Sequence, residues 1–367
     1  MIRVLHVIRA MNMAGAETLI MNVYRHIDRE QIQFDFLVNV STPCDYDSEI
    51  RSLGGKIYSV PRYCLINQAA YKRACAKFFS AHPEHQIVHG HIGSSAPIYL
   101  PLAKKSGKYT IAHSHNAVRN DSLLNVAFNC ISRKVRGKAD YYLACSLEAG
   151  ISRFGAEITT SNLFSVLNNG IDTTQYVRTK EQALAAKCKL NVGKSPVFLH
   201  VGRFNVEKNH SFLLDVFSII KKELPTAQLL LVGTGEELPK IKSKIQTLHL
   251  SDSVFTLGTR SDIPSILHAA DVFVFPSLSE GLGIALIEAQ AAGLPCVASS
   301  NIPDLAFITP LATKLDLSSP EQWAKACIKS YRENKNCYPD YSPLIKERGF
   351  DIRETANWLS NFYLNHS

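Results

Sequence analysis

Residues 276–299 read PSLSEGLGIALIEAQAAGLPCVAS, with two carboxylates, Glu280 and Glu288, on either side of a Gly-Leu-Gly corner. Gly281 and Gly283 allow a sharp turn, so that backbone N–H groups at the start of the next helix face outward, an arrangement suited to an anion or a polar ligand. The helix is expected to begin at Gly283 or Ile284, which puts Glu288 about one turn inside it. A carboxylate there can accept both hydroxyls of a ribose, while Glu280 is placed to meet whatever the amides of the corner hold. Each glutamate also has a plainer reading: Glu280 complements the helix dipole, and Glu288 lies on a solvated helix face.

Upstream, GRFNVEKNH at residues 202–210 follows an apolar run and precedes a helical pattern. Gly202 ends the run, and Arg203 and Lys208 leave it together on one loop, a pair of cations suited to a diphosphate or, in the plainer reading, to solvent. The next such loop, VGTGEEL at 232–238, places Gly233 and Gly235 where a nucleotide could approach the backbone. It is a weak dinucleotide fingerprint, since Leu238 replaces the third glycine, and a simple tight turn explains it equally well. Four histidines, His89, His91, His113 and His115, fall at the ends of two further apolar runs, where an imidazole can hydrogen-bond a sugar or move a proton. Packing and a metal site are the other readings for this group, and no metal is expected. NVGKS at 191–195 lacks the earlier glycine of a P-loop and precedes its strand, and Asp45-x-Asp47 lies in a polar loop.

These residues need a frame. Strands are expected at 4–8, 34–39, 56–61, 87–91, 109–114, 141–146 and 164–169, then at 197–202, 228–233, 254–258, 272–277 and 296–299, with helical segments between most of them. Apolar strands alternating with helices specify parallel sheets covered on both faces. At 367 residues the chain suits two such α/β domains facing a cleft, residues 1–171 and 172–349, with the amphipathic segment 350–367 returning to the first. The seam is read at 168–182, where Asn-Gly closes a strand. Ligands of such sheets bind beyond the carboxyl ends of the strands, which adds Gly15 and Glu17 after the first strand and Asn116 after the fifth.

Composition narrows the class. Hydrophobic residues make up 46% and charged residues 20%, as in a folded globular protein, and no apolar run reaches the roughly 18 residues of a membrane span. The apolar run at 4–8 is too short for a leader and reads as a strand. Nine scattered cysteines without a CxxC pair fit reduced thiols in a cytoplasmic protein. Residues 1–171 hold 19 Lys+Arg against 12 Asp+Glu, a surplus of seven, whereas 172–367 hold 21 against 20. The surplus gathers at Lys72 and Arg73, at Lys104, Lys105 and Lys108, and in SRKVRGK at 132–138. It suits an anionic partner, such as acidic lipid, a phosphorylated acceptor or nucleic acid, or else solvated helix faces.

The order Gly-Ala-Glu, His-x-His, His-Asn, Asn-Gly-Ile-Asp, Gly-Arg-x4-Lys-Asn and Glu-x7-Glu resembles the retaining GT-B glycosyltransferases of family four, over nearly all of the chain and most strongly over 168–299. The first half is similar to the branch that builds bacterial capsular or extracellular polysaccharide. The resemblance implies a retaining hexosyl transfer from a nucleotide diphosphate sugar, a UDP-sugar above all, to a glycan acceptor carried on polyprenyl diphosphate, without a metal or other cofactor. It implies that Arg203 and Lys208 neutralise the donor's diphosphate, that Glu288 binds the ribose, and that Glu280 with the amides of Leu282 and Gly283 holds the sugar. Gly15, Gly202, Gly233 and Gly235 fall on the donor side, His115 beside the reacting face, and His91, Asn116 and Glu17 on the acceptor side. The expected setting is the inner face of the cytoplasmic membrane, with peripheral contact to anionic lipid and no nucleic acid. Two departures stand out: Ala14-Gly15 where the family has Gly-Gly, and SSNIPDLAFITP at 299–310 where it has a glycine-rich turn. The rival readings are a sugar-nucleotide epimerase or a phosphorylase of the same fold, and an inactive membrane-docking module.

Overall fold

The computed structural model describes residues 1–115 and 130–367, and Asn116 lies outside the described residues. The chain divides into two compact units, Met1–Ile171 with Phe350–Ser367, and Asp172–Gly349. In the first, β1 (Ile2–Val7), β2 (Ile32–Val38), β3 (Ile57–Ser59), β4 (His85–Gly90), β5 (Tyr109–Ser114), β6 (Tyr141–Ala144) and β7 (Phe164–Val166) form one sheet in the order β3-β2-β1-β4-β5-β6-β7. In the second, β8 (Val197–Val201), β9 (Gln228–Val232), β10 (Val254–Gly258), β11 (Val272–Phe275), β12 (Cys296–Ser299) and β13 (Ala312–Leu315) run in the order β10-β9-β8-β11-β12-β13. Every pairing is parallel. Both units are therefore doubly wound α/β sheets, as the alternation of apolar strands and helices requires.

The period of two explains how β1 serves two cores. Val4 joins Phe34, Phe36, Ile87, Ile111 and Leu143 on the face covered by helices Gly15–His26 and Ile352–Asn365. Leu5 and Val7 join Leu37, Val88, Ala112 and Ala144 on the other face, under helices Gln68–Ala81, Ala96–Lys105 and Leu147–Phe154. The sequence reading omits β13 for a physical reason. It is an edge strand, ATKL, with Thr313 and Lys314 exposed, so it carries no apolar run.

In each sheet the strand order reverses once, at β1/β4 and at β8/β11. Successive connections leave in opposite directions there, which opens a crevice at the carboxyl ends of the two strands. The loop after β1 leads into the helix that begins with Gly15 and carries Glu17 in its first turn, and the loop after β4 carries His91. The loops after β8 and β11 carry Arg203, Lys208 and Glu280.

The C-terminal segment packs within the first unit through buried Ile352, Ala356, Leu359, Phe362 and Tyr363, while Trp358 stays 37% exposed and stacks on Phe362. It enters beside Ile171, whose N–H donates to Phe350 O and whose carbonyl accepts from Ile352 N–H. Gly170, read from the sequence as a turn residue, is needed here for close approach, since a Cβ would lie 2.7 Å from Ile352 Cα. The basic clusters are also partly consumed by the fold: Lys108 is buried and donates to His82 O and His85 O, and Lys104 pairs with Asp140. All nine cysteines are free. Among the described residues no helix is long and apolar enough to cross a membrane.

Asp35 ties the near end of the first sheet together. Its carboxylate accepts from Arg3 of β1, from His85 of β4, and from the N–H of Lys56 just before β3. Burial disfavours the charge, but the hydrogen bonds outweigh it and hold the carboxyl down to about 2. Asp35→Asn should cost about 3–5 kcal/mol because it leaves Arg3 without its counter-charge. Urea unfolding followed by circular dichroism checks this, and an unchanged midpoint would contradict it.

Candidate active site

The loops after β8 and β11 meet because their strands are neighbours, with Val272 paired to Phe198. Asn205 caps a short 3-10 turn, Val206–Lys208, through its side chain, and Leu278 N–H donates to Glu207 O across the two loops at 2.7 Å. Lys208 Nζ then lies 2.5 Å from Glu280 Oε1 and 4.9 Å from the centre of the Phe275 ring. The two side chains are only 18% and 11% exposed, so the charges act on each other through little water. Arg203 differs. Its side chain is 70% exposed and meets Glu236, also exposed, at 3.1 Å.

Two glycines of the loop after β9 are fixed by its contact with the loop after β8. A Cβ on Gly233 would lie 2.1 Å from Gly202 O, and one on Gly235 2.3 Å from Phe204 O. Gly202 borders His200 and the Lys208 side chain, 3.0 and 3.1 Å from its Cβ position. At Gly283 the backbone is left-handed (φ 88°), and helix Ile284–Ala291 starts from it with no side chain capping its first turn. Glu280 and buried Leu282 lie just before that start. Gly15, the first residue of helix Gly15–His26, has no neighbour within 4 Å of its Cβ position, so no packing contact demands glycine there.

Glu288 is half-buried on its helix, and Oε1 accepts a hydrogen bond of 2.8 Å from Tyr176 OH. Tyr176 is held by its own carbonyl, which accepts from His268 Nε2. Burial raises the Glu288 carboxyl to about 7, and the tyrosine hydrogen bond opposes the rise. Such a group accepts hydrogen bonds from a diol when ionised and exchanges its proton near neutrality.

In the first unit the four histidines share one face of the sheet with a fifth, His6 of β1, which the sequence reading missed. They form two chains of hydrogen bonds. His6 Nδ1 meets His91 Nε2 at 3.0 Å, and His91 Nδ1 meets His115 Nε2 at 2.8 Å. Tyr363 OH meets His89 Nδ1 at 2.6 Å, and His89 Nε2 meets His113 Nδ1 at 3.1 Å. Burial pushes His6 down to about 3 and His115 to about 4, and pushes His89, His91 and His113 well below the ordinary range, so all five are neutral. The sets His6, His89, His91 and His91, His113, His115 can each bring three nitrogens within 4.8 Å. A metal ion there would have to displace the hydrogen bonds that now join them. Glu17, half-buried in the first turn of its helix, has its carboxyl raised by burial.

The structure thus joins Lys208 to Glu280, packs Gly233 and Gly235 against Gly202 and Phe204, and sets Leu282 and Gly283 between Glu280 and the helix that carries Glu288. In the first unit it joins His91 to His115. Arg203 and Glu288 instead meet Glu236 and Tyr176, and no hydrogen bond or ion pair among the described residues links Gly15 or Glu17 to the histidines. The sequence reading missed His6, Tyr176 and Tyr363. His6 had a signal, a polar residue within the alternation of β1. Tyr176 and Tyr363 had none, because their partners lie 112 and 274 residues away.

Residues 184–335 match the family model described as glycosyl transferases group 1. EpsF of Bacillus subtilis (strain 168), named as a glycosyltransferase, is 32% identical over 371 residues, covering 98% of this chain and 96% of that protein. The chain belongs to the group 1 glycosyltransferases. The transferase is also 27% identical over 323 residues, 82% of its length and 79% of the relative's, to an Escherichia coli enzyme named UDP-Gal:alpha-D-GlcNAc-diphosphoundecaprenol alpha-1,3-galactosyltransferase. Its fold is that of Anabaena HepE, solved in complex with UDP-glucose, with a TM-score of 0.81, 17% identity and full coverage of both chains. The two parallel-sheet Rossmann-like units are those of a GT-B enzyme.

The raised Glu288 carboxyl gives the transferase a pH signature. From about pH 4.5 to about 7 the folded state keeps a proton that the unfolded chain has released, so stability contributed at this site falls as pH rises and then levels off. Glu288→Gln keeps a partner for Tyr176 and removes the titration. Relative to wild type it should gain on the order of 1–3 kcal/mol between pH 5 and pH 8. Thermal melts of both proteins at the two pH values measure the difference, and parallel pH profiles would refute it.

Proposed function

We propose that this enzyme transfers a hexose, with retention of anomeric configuration, from a UDP-sugar to a hydroxyl of a glycan carried on polyprenyl diphosphate, in bacterial capsule or exopolysaccharide synthesis. The observation that carries the reading is the joined pair of loops at the β8/β11 switch point. They set Lys208 against Glu280 beside the uncapped start of helix Ile284–Ala291, with Arg203 on the same loop as Lys208 and Glu288 along that helix. The donor named for HepE and the donor and acceptor named for the E. coli relative favour a UDP-sugar and a lipid diphosphate.

In this reading the donor's diphosphate takes Arg203 and Lys208 as its counter-charges. Glu280 and the amides of Leu282 and Gly283 hold hydroxyls of the sugar, and Glu288 accepts from the ribose. The C–O bond between anomeric carbon and diphosphate breaks as the acceptor oxygen adds on the same face, and the departing diphosphate takes the acceptor's proton. Negative charge builds on the leaving group, where fixed cations stabilise it most effectively, so the two basic side chains take the place a metal ion has in other transferases. His91 and His115, with Glu17, serve the acceptor side. Lys72, Arg73, Arg133 and Lys134, all exposed, offer a basic surface for peripheral contact with anionic lipid at the cytoplasmic face.

Arg203 allows a clean test, because its side chain is mostly solvated and its partner Glu236 is exposed as well. Arg203→Ala should lower turnover by about two orders of magnitude or more while leaving the melting temperature unchanged. Release of UDP with and without acceptor, measured over a panel of nucleotide sugars, checks the prediction. Near-normal turnover in the variant would refute the assignment.

A further inference from the structure

At the carboxyl ends of β4 and β5, within the first unit, a cavity of about 100 Å3 is lined by residues that include His91, Gly93, Ala96, His113, His115 and Arg153. No Asp or Glu is among its described lining residues. Arg153 stands in the last turn of helix Leu147–Phe154, donates to Ser132 Oγ, and makes no ion pair among the described residues. Its guanidinium lies against the loop after β4, where a Cβ on Gly93 would be 3.0 Å from Nη1. Burial, and then the charge of Arg133, work against its protonated form. Arg136 adds a third cation, its Nε donating to Arg153 O.

A partly buried guanidinium beside like charges is unfavourable unless an anion shares the site. The surroundings fit an anion. Helix Ala96–Lys105 begins at the cavity; its first-turn donors are taken, Ala96 N–H by Ile92 O and Ile98 N–H by Ser95 O, and Pro97 has none, so the helix offers an anion its dipole and no hydrogen bond. A fork of guanidinium N–H groups with two further cations beside it, near the positive end of a helix dipole, matches the oxygens of a tetrahedral phosphate.

We infer that the first unit holds a phosphate-binding site centred on Arg153 and flanked by Arg133 and Arg136, and that it takes the diphosphate of the glycan acceptor. The second half of this inference rests on the function proposed above. It gives SRKVRGK, the basic run at 132–138, a function beyond general attraction, since Ser132, Arg133 and Arg136 all belong to it.

Isothermal titration of inorganic pyrophosphate into the full-length protein, Arg153→Ala, Arg203→Ala and the double variant tests the site itself. Arg153→Ala should remove one binding event that Arg203→Ala retains, and equal binding by wild type and Arg153→Ala would overturn the site. Arg153→Lys should weaken binding and Gly93→Ala should displace the guanidinium, so a similar loss in both keeps the test valid if the alanine variant folds poorly. A second measurement identifies the source of the phosphate. With an acceptor glycan on a short polyprenyl diphosphate, Arg153→Ala should raise KM about tenfold or more and leave donor hydrolysis unchanged. With the same glycan on an uncharged alkyl chain, wild type and variant should agree. Lost pyrophosphate binding with an unchanged KM would mean that the site takes free phosphate and would overturn the acceptor assignment. Absence of turnover in wild type with every donor and acceptor would instead refute the proposed transfer, and the pyrophosphate titration would still stand.

Discussion

The contact between Lys208 and Glu280 organises the second unit's site. One side chain comes from the loop after β8 and the other from the loop after β11, and the strand order reverses between those two strands. Because β8 and β11 are adjacent in the sheet, their loops must diverge from one point, and a charge on each closes the gap. Phe275 lies near the ammonium and the Leu278 N–H bond to Glu207 O fixes the backbones, so neither charge is free to seek water. Each neutralises the other. Holding both groups in place beforehand reduces the reorganisation that binding would otherwise require.

The neighbouring loops follow from the same constraint. The loop after β9 presses against the loop after β8 so closely that Gly233 and Gly235 have carbonyl oxygens where side chains would begin. Gly283 turns left-handed to start a helix whose first amides stay uncapped, and that helix carries Glu288 to Tyr176. A carboxyl half out of water with a single tyrosine hydrogen bond is held near neutrality by the cost of burying charge.

The first unit uses the same topology with different contents. At its switch point five neutral imidazoles and Tyr363 form two chains of hydrogen bonds through the apolar face of the sheet. Burial keeps them uncharged, which lets them stack at ring distances of 4.1–5.4 Å without mutual repulsion. Charge enters from the opposite face, through Arg153. The two units therefore differ in their charges: one carries a paired lysine and an exposed arginine on a single loop, the other an arginine with no ion pair among the described residues.

The sequence by itself determined the fold class and singled out most of the residues of the second unit's candidate site. Twelve strands are legible as short apolar runs, most of them buried on both faces, while the edge strands β3, β7 and β10 keep the run with only partial burial. The loops after β8 and β11 are legible because glycines and charges there are close in sequence to the strands that aim them. β13 is not legible, since an edge strand with exposed Thr313 and Lys314 needs no apolar run. Tertiary structure alone decided the pairings: Lys208 with Glu280, Glu288 with Tyr176, His89 with Tyr363, and Arg153 with no acid among the described residues. Local pattern reports the hydrophobic period, which neighbouring residues set, whereas the partner of a buried charge is chosen by strand order and helix packing over 70 residues or more. Lys108 shows the same limit. In sequence it belongs to a basic cluster, but the turn into β5 buries it against two carbonyls, and its charge is spent inside the fold.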